Sequence, residues 1–436
     1  MRYSQPFGTP QPPLGQYPRF VNGDPVRGIE GSIPPATAFD ETQVEIVTVI
    51  TNAGLTPTHD DLTQLWQALM ILFAQKYIST DVHKYCHGVN ADFPDLITAL
   101  QWAGNYIILP SGHLTLHVNA GRWQYTSTIE VNHANANRIS FMGAGTIPQI
   151  LPSSMSITGF NTDTDAQAQL AALRNVYSSE LLFQGGVTGF RLLRPGAAFH
   201  YLLITGTYTS AAPTPDGFAG GIGIDAFESF FVDGMALHHW GWACIQTTGC
   251  SLISYTSLSL VCGYAGYCAI VARSSYISFP QTMHSIFTSS AIGGVLLYAT
   301  QMYPGMIYVA GNASPNSNLA GVMVEAGSQL NAWPGSQVYY NKNFGVTVAD
   351  GSSFLFAQCT ISQPANPACY YALWVDKGFA TLDGGNVQNG ISDASHGAIY
   401  GMNGANIEAI GTTIGGNAWP TPDTYGQQFN SFLRTH

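Results

Sequence analysis

The chain has 436 residues, a formal net charge of -11 at pH 7, and only 9% charged residues against 46% hydrophobic ones. So few charges argue against a coiled coil and against charge-driven disorder. The negative balance, without a cluster of Lys and Arg, argues against nucleic acid as a partner. The length fits two unequal domains.

The first 36 or so residues are rich in Pro, Gly and Gln and predict an extended arm that docks on another protein. The opening stretch MRYSQPFGTPQPPLGQYP lacks the apolar core of a signal peptide, and no apolar run is long enough to span a membrane. We therefore expect a chain that is made without a signal peptide, does not insert into a membrane and is assembled rather than exported.

A helical hairpin is predicted next. Its first helix runs from about Ala38 to a stop at Gly54, and its second begins at Thr58, with Asp61 three residues further on. A hairpin this small cannot bury the apolar stripe of its second helix, so residues 1–80 are predicted to attach the chain to a partner or particle. The stripe includes Leu62, Leu65, Trp66 and Leu69.

Residues 81–436 are assigned to one strand-rich domain. A third helix, FPDLITALQW, is predicted after Asp92 and leads into several strands. At about 152–200 a helical insertion is predicted, with Asp165 as the cap of a short helix.

A glycine recurs about every 25 residues through the last quarter of the chain, a period typical of stacked repeats. The four positions are Gly327, Gly351, Gly378 and Gly404. Each follows a short apolar strand and precedes a second strand, with no helical period between them. This is the pattern of a right-handed parallel β-helix, in which the glycines stack at equivalent corners that exclude a side chain.

Alternation within the repeated strands separates inward from outward residues. The predicted inward residues are Val322, Val324, Val346, Val348, Leu373 and Val375. The outward residues between them are Met323, Thr347, Trp374 and Tyr400. Trp374 and Tyr400, on consecutive coils, are candidates to stack on sugar rings. Burial against the other chains of a trimer is the alternative.

Three carboxylates, those of Glu325, Asp350 and Asp376, lie near the same predicted corner. Strands two coils apart are separated by about 10 Å, close to the roughly 6.5–9.5 Å between the carboxyl groups of inverting glycosidases. Acidic residues are also common at corners because they satisfy backbone groups. Corner carboxylates usually stay solvated, so we predict that these three do not form a catalytic centre.

The cysteines do not predict a metal site. Their spacing does not match a zinc pattern, and their odd number, seven, excludes complete pairing within one chain. Cys244 and Cys268 lie one repeat apart, which predicts a buried ladder of free thiols. No metal and no cofactor is expected.

The densest polar and aromatic cluster in the middle of the chain consists of His238, His239 and Trp240 with Asp233. Adjacent residues of a strand point to opposite faces, so the two histidines are not expected to serve one site. We interpret the cluster as a corner of a coil.

Two stretches carry a resemblance to a known family. The segment GSIPPATAFDETQVEIVTVITNAGLTPTHDDLTQLWQALM, which begins at Gly31, resembles the N-terminal region of bacteriophage and prophage tail fibre and tailspike proteins. The matching residues are Glu45, Ile46, Val49, Ile50, Ala53, Gly54, Leu55, Pro57, Thr63, Gln64, Leu65 and Ala68.

The second stretch, LTLHVNAGRWQYTSTIEVNHANANRISFMGAG, resembles the opening of the pectate-lyase-like β-helices in the same proteins. Its matching residues are Gly121, Tyr125, Ile129, His133, Arg138, Ile139 and Gly143. The resemblance implies a trimeric tail fibre or receptor-binding protein whose N-terminus is attached to the particle.

The resulting hypothesis is a structural and host-recognition subunit of a phage or phage-like tail. It is expected to be a homotrimer in the virion, bound to other tail or baseplate proteins by its N-terminus and to a host glycan or receptor by its β-helix. The alternative is a tailspike polysaccharide depolymerase, a hydrolase or lyase, on the same fold. A secreted polysaccharide lyase or hydrolase is disfavoured by the expected absence of a signal peptide. Whether the chain is an enzyme stays open, with binding favoured over cleavage.

Overall fold

The computed structural model describes residues 26, 36–58, 61–74, 77–155, 163–208, 221–288, 290, 292–311, 320–341, 343–363, 369–389, 397–419, 425–426 and 431–435. Contacts along the chain divide it into two compact units, Met1–Tyr77 and Ile78–His436. The predicted arm, residues 1–36, lies almost entirely outside the described residues.

The smaller unit contains two helices, Ala36–Asn52 and Gln64–Ala74. The first ends close to the predicted stop, where Gly54 has a φ of 78°. The predicted start of the second helix at Thr58 is wrong. The carboxylate of Asp61 instead accepts hydrogen bonds from Thr63 N at 2.8 Å and Thr63 Oγ1 at 2.6 Å, which holds a turn before the helix begins.

The larger unit is a parallel β-solenoid. Each coil of the chain adds one strand to each of three sheets, which we name sheets A, B and C in the order in which the chain visits them. Sheet A has 14 strands, and sheets B and C have 11 strands each. Within the described strands of these three sheets, all pairs are parallel except the last pair of sheet A. The predicted parallel β-helix is therefore confirmed, whereas the trimer stays a prediction.

The strands of sheet A, in spatial order, are Asp81–Cys86, His113–Val118, Ile139–Gly143, Ala198–His200, Phe230–Asp233, Ser251–Ile253, Tyr276–Ser278, Gln301–Tyr303, Gln329–Asn331, Ser353–Leu355, Phe379–Thr381, Asn406–Glu408, Ser431–Arg434 and Tyr425–Gly426. The strands of sheet B are Gly121–Tyr125, Ser179–Phe183, Leu203–Thr205, Met235–Trp240, Leu260–Ala265, His284–Thr288, Met306–Ala310, Gln337–Tyr339, Thr360–Gln363, Asn386–Asn389 and Thr413–Gly415. The strands of sheet C are Ile129–Val131, Phe190–Leu192, Ile222–Ala226, Ala243–Thr248, Cys268–Arg273, Gly293–Tyr298, Ala320–Glu325, Phe344–Ala349, Tyr371–Asp376, Gly397–Met402 and Ala418–Trp419. Two further short strands are Tyr77–Ile78 and Ile107–Ile108.

The four repeated glycines lie at one corner, between a strand of sheet C and the following strand of sheet A. At Gly327, Gly351 and Gly404 φ is 75°, 75° and 91°, a left-handed conformation in which a Cβ is unfavourable. The corner at Gly378 is one residue shorter, and there Lys377 is left-handed, with a φ of 53°. Location at an equivalent corner is confirmed for all four glycines, but Gly378 is displaced by one position.

The six residues predicted to point inward are all fully buried. They form two columns, in which each residue pairs with the same position of the next coil. The first column is Val322, Val346 and Leu373, and the second is Val324, Val348 and Val375. Stacking like on like builds one continuous apolar core along the solenoid.

Alternation fails at the start of the sheet C strands. Cys244 and Ile245 are consecutive residues and both lie in the interior core, so Ala243 before them points outward. Cys268 pairs with Ala243 and belongs to an apolar cluster on the outer side of sheet C. The predicted ladder of Cys244 and Cys268 is therefore wrong, although all seven cysteines are free and buried.

An insertion interrupts the solenoid between Gly143 in sheet A and Ser179 in sheet B. It contains a 3₁₀ helix, Pro152–Met155, and an α-helix, Asp163–Val176. The predicted insertion of about 152–200 is too long, because the chain from Ser179 onward forms strands of all three sheets. These strands are Ser179–Phe183, Phe190–Leu192 and Ala198–His200.

The inserted helix packs on the outer face of sheet B. Leu170 and Leu173 lie in a second apolar cluster with Leu203, Val261 and Ile286 of that sheet. A short polar-faced helix gains its stability from such packing rather than from its propensity. The insertion thus covers one outer face of the solenoid.

A third helix, Leu96–Ala103, packs against the first strands of the solenoid and buries Leu96 and Ala99. Its N-cap is Asp95, whose carboxylate accepts a hydrogen bond from Thr98 N at 2.7 Å. The helix was predicted to start directly after Asp92, but its N-cap is Asp95, three residues later.

Candidate functional site

The outer face of sheet C carries the predicted aromatic column. Strand pairing aligns Met323 with Thr347, Thr347 with Trp374, and Trp374 with Tyr400. Met323 and Thr347 are buried, whereas Trp374 and Tyr400 are half-buried. Of the four side chains in this column, only the two aromatic ones are therefore accessible to solvent.

Three further aromatic side chains surround Trp374 and Tyr400. The ring of Phe344 lies 5.9 Å from that of Trp374 and 6.0 Å from that of Tyr370. The ring of Tyr371 lies 4.8 Å from that of Tyr400. We call these five residues the aromatic patch. It spans three consecutive coils and presents several tilted rings at one surface.

Simple alternation would point two members of the patch inward: Phe344 and Tyr371, which stand two residues before Val346 and Leu373 and pair with each other. Counting back from the inward Leu373 would point Tyr371 inward as well. The core contains both Ala372 and Leu373, however, so the strand begins with two inward residues and Tyr371 turns outward. The strand of Cys244 and Ile245 begins in the same way, with two consecutive inward residues. This departure from alternation is seen only in the structure.

A row of polar groups runs beside the aromatic patch, at the end of the sheet C strands. Glu325 and Asp376 each end a strand, and Asp350 lies in the corner with a φ of 53°. The carboxylate of Asp376 accepts a hydrogen bond from Asn403 Nδ2 at 2.8 Å. Asp376 and Trp374 are two residues apart on one strand, so the polar row and the patch share a face.

The carboxyl groups of the row differ in their surroundings. Partial burial, and next the charge of Asp350, raise the pKa of Glu325 above its usual value. Asp350 itself is exposed. Tyr298 pairs with Glu325 and is 52% exposed. Asp376 is half-buried, as Glu325 is. That the three corner carboxylates do not form a catalytic centre stays a prediction.

The apolar stripe of the smaller unit is largely open to solvent. Leu62 is 95% exposed and Trp66 66% exposed, whereas Leu65 is 36% exposed and Leu69 is half-buried. Within the helix Gln64–Ala74, Ala68 is fully buried. The role of the stripe in particle attachment stays a prediction.

The two central histidines lie together, contrary to the prediction. Both belong to the sheet B strand Met235–Trp240 rather than to a corner. His239 has a φ of 62°, which breaks the alternation of the strand and brings its ring beside that of His238. Asp233 lies in sheet A instead, where it pairs with His200 at 3.3 Å. The sequence cluster is thus two separate features.

The described part of the chain shows neither a metal-binding cluster nor a membrane-spanning helix. Its residues contain no group of three or more His, Cys, Asp or Glu side chains placed to hold a metal ion. Its helices include none that is long and apolar enough to cross a membrane.

Comparison with known proteins finds remote similarities of structure. No protein-family model matches the chain, and no curated protein matches it in sequence. A structure titled "Geobacillus virus E2 - ORF18" aligns with a TM-score of 0.44 and 13% identity, over 84% of this chain and 66% of that one. The chain thus covers slightly less than two thirds of that phage protein. The catalytic domain of a GH87 α-1,3-glucanase in complex with nigerose aligns with a TM-score of 0.29 and 11% identity, over 82% of this chain and 68% of that one.

Proposed function

We propose that the protein is a structural and host-recognition subunit of a phage or phage-like tail, whose solenoid binds a surface glycan through the aromatic patch. The resemblance of the segment that begins at Gly31 to tail fibre and tailspike proteins supports the tail assignment. The observation that carries the binding role is the aromatic patch itself, on three consecutive coils beside a polar row.

Sugars suit such a surface for two reasons. The C–H faces of a sugar ring pack against aromatic rings, and Tyr and Trp combine an apolar face with a polar end. Sugar hydroxyl groups can donate to carboxylates and accept from amide groups, as Asp376 and Asn403 offer beside Trp374. Consecutive coils repeat at about 4.8 Å, so an extended chain can contact several equivalent positions.

The test compares two patch variants with a matched control. Trp374→Ala and Tyr400→Ala are expected to weaken binding to host cells and to purified surface polysaccharide about tenfold or more, since a lost aromatic anchor costs about 2 kcal/mol. Tyr276→Ala removes a 41% exposed tyrosine from sheet A and is expected to bind normally. Equal binding by all three variants would contradict the proposal.

The same experiment separates glycan binding from subunit contact. Sedimentation of each variant reports its oligomeric state. If Trp374→Ala converts a trimer to monomers, the patch is a subunit interface and the glycan site lies elsewhere. A homotrimer with weakened glycan binding supports the proposal as stated.

Attachment to the particle is the second part of the proposal. Burial of a large apolar side chain stabilises a contact by about 1.5–3 kcal/mol, so Leu62 and Trp66, now exposed, offer a strong docking surface. Deleting residues 1–80 is expected to leave a folded solenoid that no longer joins the particle. Unchanged incorporation would refute the attachment role.

A tailspike depolymerase is the second candidate function, and the position of Glu325 favours it. This residue is partly buried, its pKa is raised, and the exposed Tyr298 lies on the adjacent strand. A carboxyl group with a raised pKa can donate a proton to a glycosidic oxygen. Glu325→Gln would then abolish the release of reducing ends or unsaturated sugars while adsorption persists. A wild-type protein that adsorbs without cleaving would exclude this function.

A further inference from the structure

Two histidine side chains meet on the outer face of sheet A, at the end where the chain enters the solenoid. His83 belongs to the terminal strand of that sheet, Asp81–Cys86, and His117 belongs to the next strand, His113–Val118. His83 Nδ1 lies 2.8 Å from His117 Nε2. The two residues are 34 positions apart in the sequence, so no local spacing of ligands indicates this contact. Only the pairing of the two strands brings the rings together.

The register of the two strands explains why the rings converge. His83 pairs with Thr115, and His117 pairs with Tyr85, so the two histidines are diagonal neighbours. Residues two apart on a strand point to the same side of a sheet, which places both imidazoles on the outer face. The ring of Tyr85 stacks on that of His117, with 4.8 Å between their centres and 17° between their planes. This stacking restrains the orientation of the His117 ring.

The contact between the two rings needs one proton. A neutral imidazole carries a single N–H, so one of the two facing nitrogens donates and the other accepts. If the bridging proton moves to the other nitrogen of its own ring, both facing nitrogens present lone pairs. A divalent metal ion can then take the place of the proton without changing the number of protons on the pair. His83 is exposed, so an ion can approach it from solvent.

The separation of the two nitrogens favours one coordination geometry. With metal–nitrogen bonds of about 2.0–2.1 Å, two imidazole nitrogens lie about 2.9 Å apart at a right angle and about 3.3–3.4 Å apart at a tetrahedral angle. The observed 2.8 Å matches the right angle. Neighbouring ligands at right angles are typical of Cu²⁺ and Ni²⁺, which prefer square-planar or tetragonal sites.

The surrounding groups make this a site with two protein ligands. His113, the other histidine on the strand of His117, has its Nε2 at 2.8 Å from Ser140 Oγ of the next coil. The described residues contain no group of three or more His, Cys, Asp or Glu side chains placed to hold an ion, so water must complete the coordination shell. Asp81, exposed and two residues before His83 on the same strand, adds a negative charge that attracts cations.

We propose that His83 and His117 bind a divalent transition-metal ion, Cu²⁺ or Ni²⁺, which holds the first strand of sheet A to the second. Asp81–Cys86 ends the sheet, so an ion that bridges it to its neighbour stabilises the end of the solenoid. The ion binds both rings only while the two strands are paired, and it therefore stabilises the paired state. The inference is independent of the tail function and of the aromatic patch.

Titration of the full chain with Cu²⁺ and with Ni²⁺ near neutral pH tests the site. The wild type is expected to bind one ion most tightly, and the electron paramagnetic resonance spectrum of bound Cu²⁺ should show coupling to two nitrogens. His83→Gln and His117→Gln should each lower the affinity about 10–100-fold or more, because even an outer-shell partner of a metal ligand contributes that much. His113→Gln is the matched control and should bind as the wild type does. Absence of binding, or equal affinity in all four proteins, would overturn the site.

Hydrogen exchange tests the effect on the strands separately. Saturating Ni²⁺ should raise the protection of the amides of Asp81–Cys86 in the wild type but not in His83→Gln. Protection in the sheet C strand Phe344–Ala349 should stay the same in both proteins. Binding that leaves the exchange of Asp81–Cys86 unchanged would overturn the role of the ion in holding the two strands together.

Discussion

The outer face of sheet B on the coils of Leu203 to Ile286 and that of sheet C on the later coils of Phe344 to Tyr400 meet their surroundings differently. On sheet B, the insertion covers Val261 and Ile286 with Leu170 and a buried polar network. On sheet C, the aromatic patch around Trp374 lies partly in solvent. The difference shows that the interior columns hold the solenoid together, whereas each outer face is free to take a separate role.

The interior columns explain this freedom. A coil is fixed by strand pairing and by inward side chains such as Phe199, which stacks on Phe141 at 5.0 Å. Apolar residues can therefore lie under a cover on one face and aromatic residues near solvent on another without a change of fold.

The largest expected effect concerns the interior. Phe199→Ala removes a fully buried ring that contacts Phe141, Phe190 and Phe230, and is expected to lower the free energy of unfolding by about 3–5 kcal/mol. The matched outward change, Phe379→Ala, removes a half-buried ring of sheet A and should cost far less. Urea denaturation of both variants measures the difference, and equal losses would contradict the division into inner and outer roles.

The next effect concerns the cover on sheet B. Glu180→Gln replaces a carboxylate that is 5% exposed and bound to Arg174, and should destabilise the protein by about 2–3 kcal/mol at pH 7. Burial raises the pKa of Glu180, but hydrogen bonds from Arg174 and Thr205 outweigh it and hold the pKa below 4.5.

The pH dependence of the destabilisation caused by Glu180→Gln serves as the control. Because the folded pKa is lowered, the contribution of the carboxylate is present above about pH 4.5 and is lost as the pH falls through the folded pKa. The difference in unfolding free energy between wild type and Glu180→Gln should shrink accordingly. A difference that stays constant down to pH 3 would mean that packing, rather than charge, is lost.

A smaller effect is expected where the cover meets the sheet. Gly263→Ala would place a Cβ 2.8 Å from Gln169 and 2.9 Å from His238, and overpacking of this kind costs about 1–3 kcal/mol. The loss should appear in the thermal unfolding of the protein and in hydrogen exchange of the inserted helix. Unchanged hydrogen exchange in that helix would show that the contact between Gly263 and Gln169 has room for a methyl group.

The smallest effect on stability is expected on sheet C. Trp374→Ala removes a half-buried outward ring, so the free energy of unfolding should change by about 1 kcal/mol or less. Urea denaturation beside the binding assays would then show that lost glycan binding is not lost folding. A decrease as large as that of Phe199→Ala would instead assign the patch to a structural role.

Much of the solenoid was predictable because its signals are local and repeated. The spacing of Gly327, Gly351 and Gly404 and the alternation around Val322 and Val346 indicated both the coil and its inward face. The aromatic residues Trp374 and Tyr400 were aligned by the same register. Period and alternation follow from backbone geometry alone. Once the inward residues of one strand are known, the repeat gives the inward residues of the neighbouring strands.

The errors within the strands occur where the backbone departs locally from regular alternation. Two consecutive inward residues at the start of a strand turned Tyr371 outward and separated Cys244 from Cys268. One left-handed residue, His239, placed its ring beside that of His238. Neither departure changes the average pattern, so neither is visible in the sequence.

By itself the sequence determined that the chain stacks as a parallel β-solenoid, because inward apolar residues recur at the period of one coil. The tertiary structure decided which outward residues meet. The inserted helix reaches sheet B across a long separation in sequence, and only there do Gln167 and Gln169 contact the two histidines. Contacts between distant segments depend on how the chain closes in space, and no local periodicity encodes them.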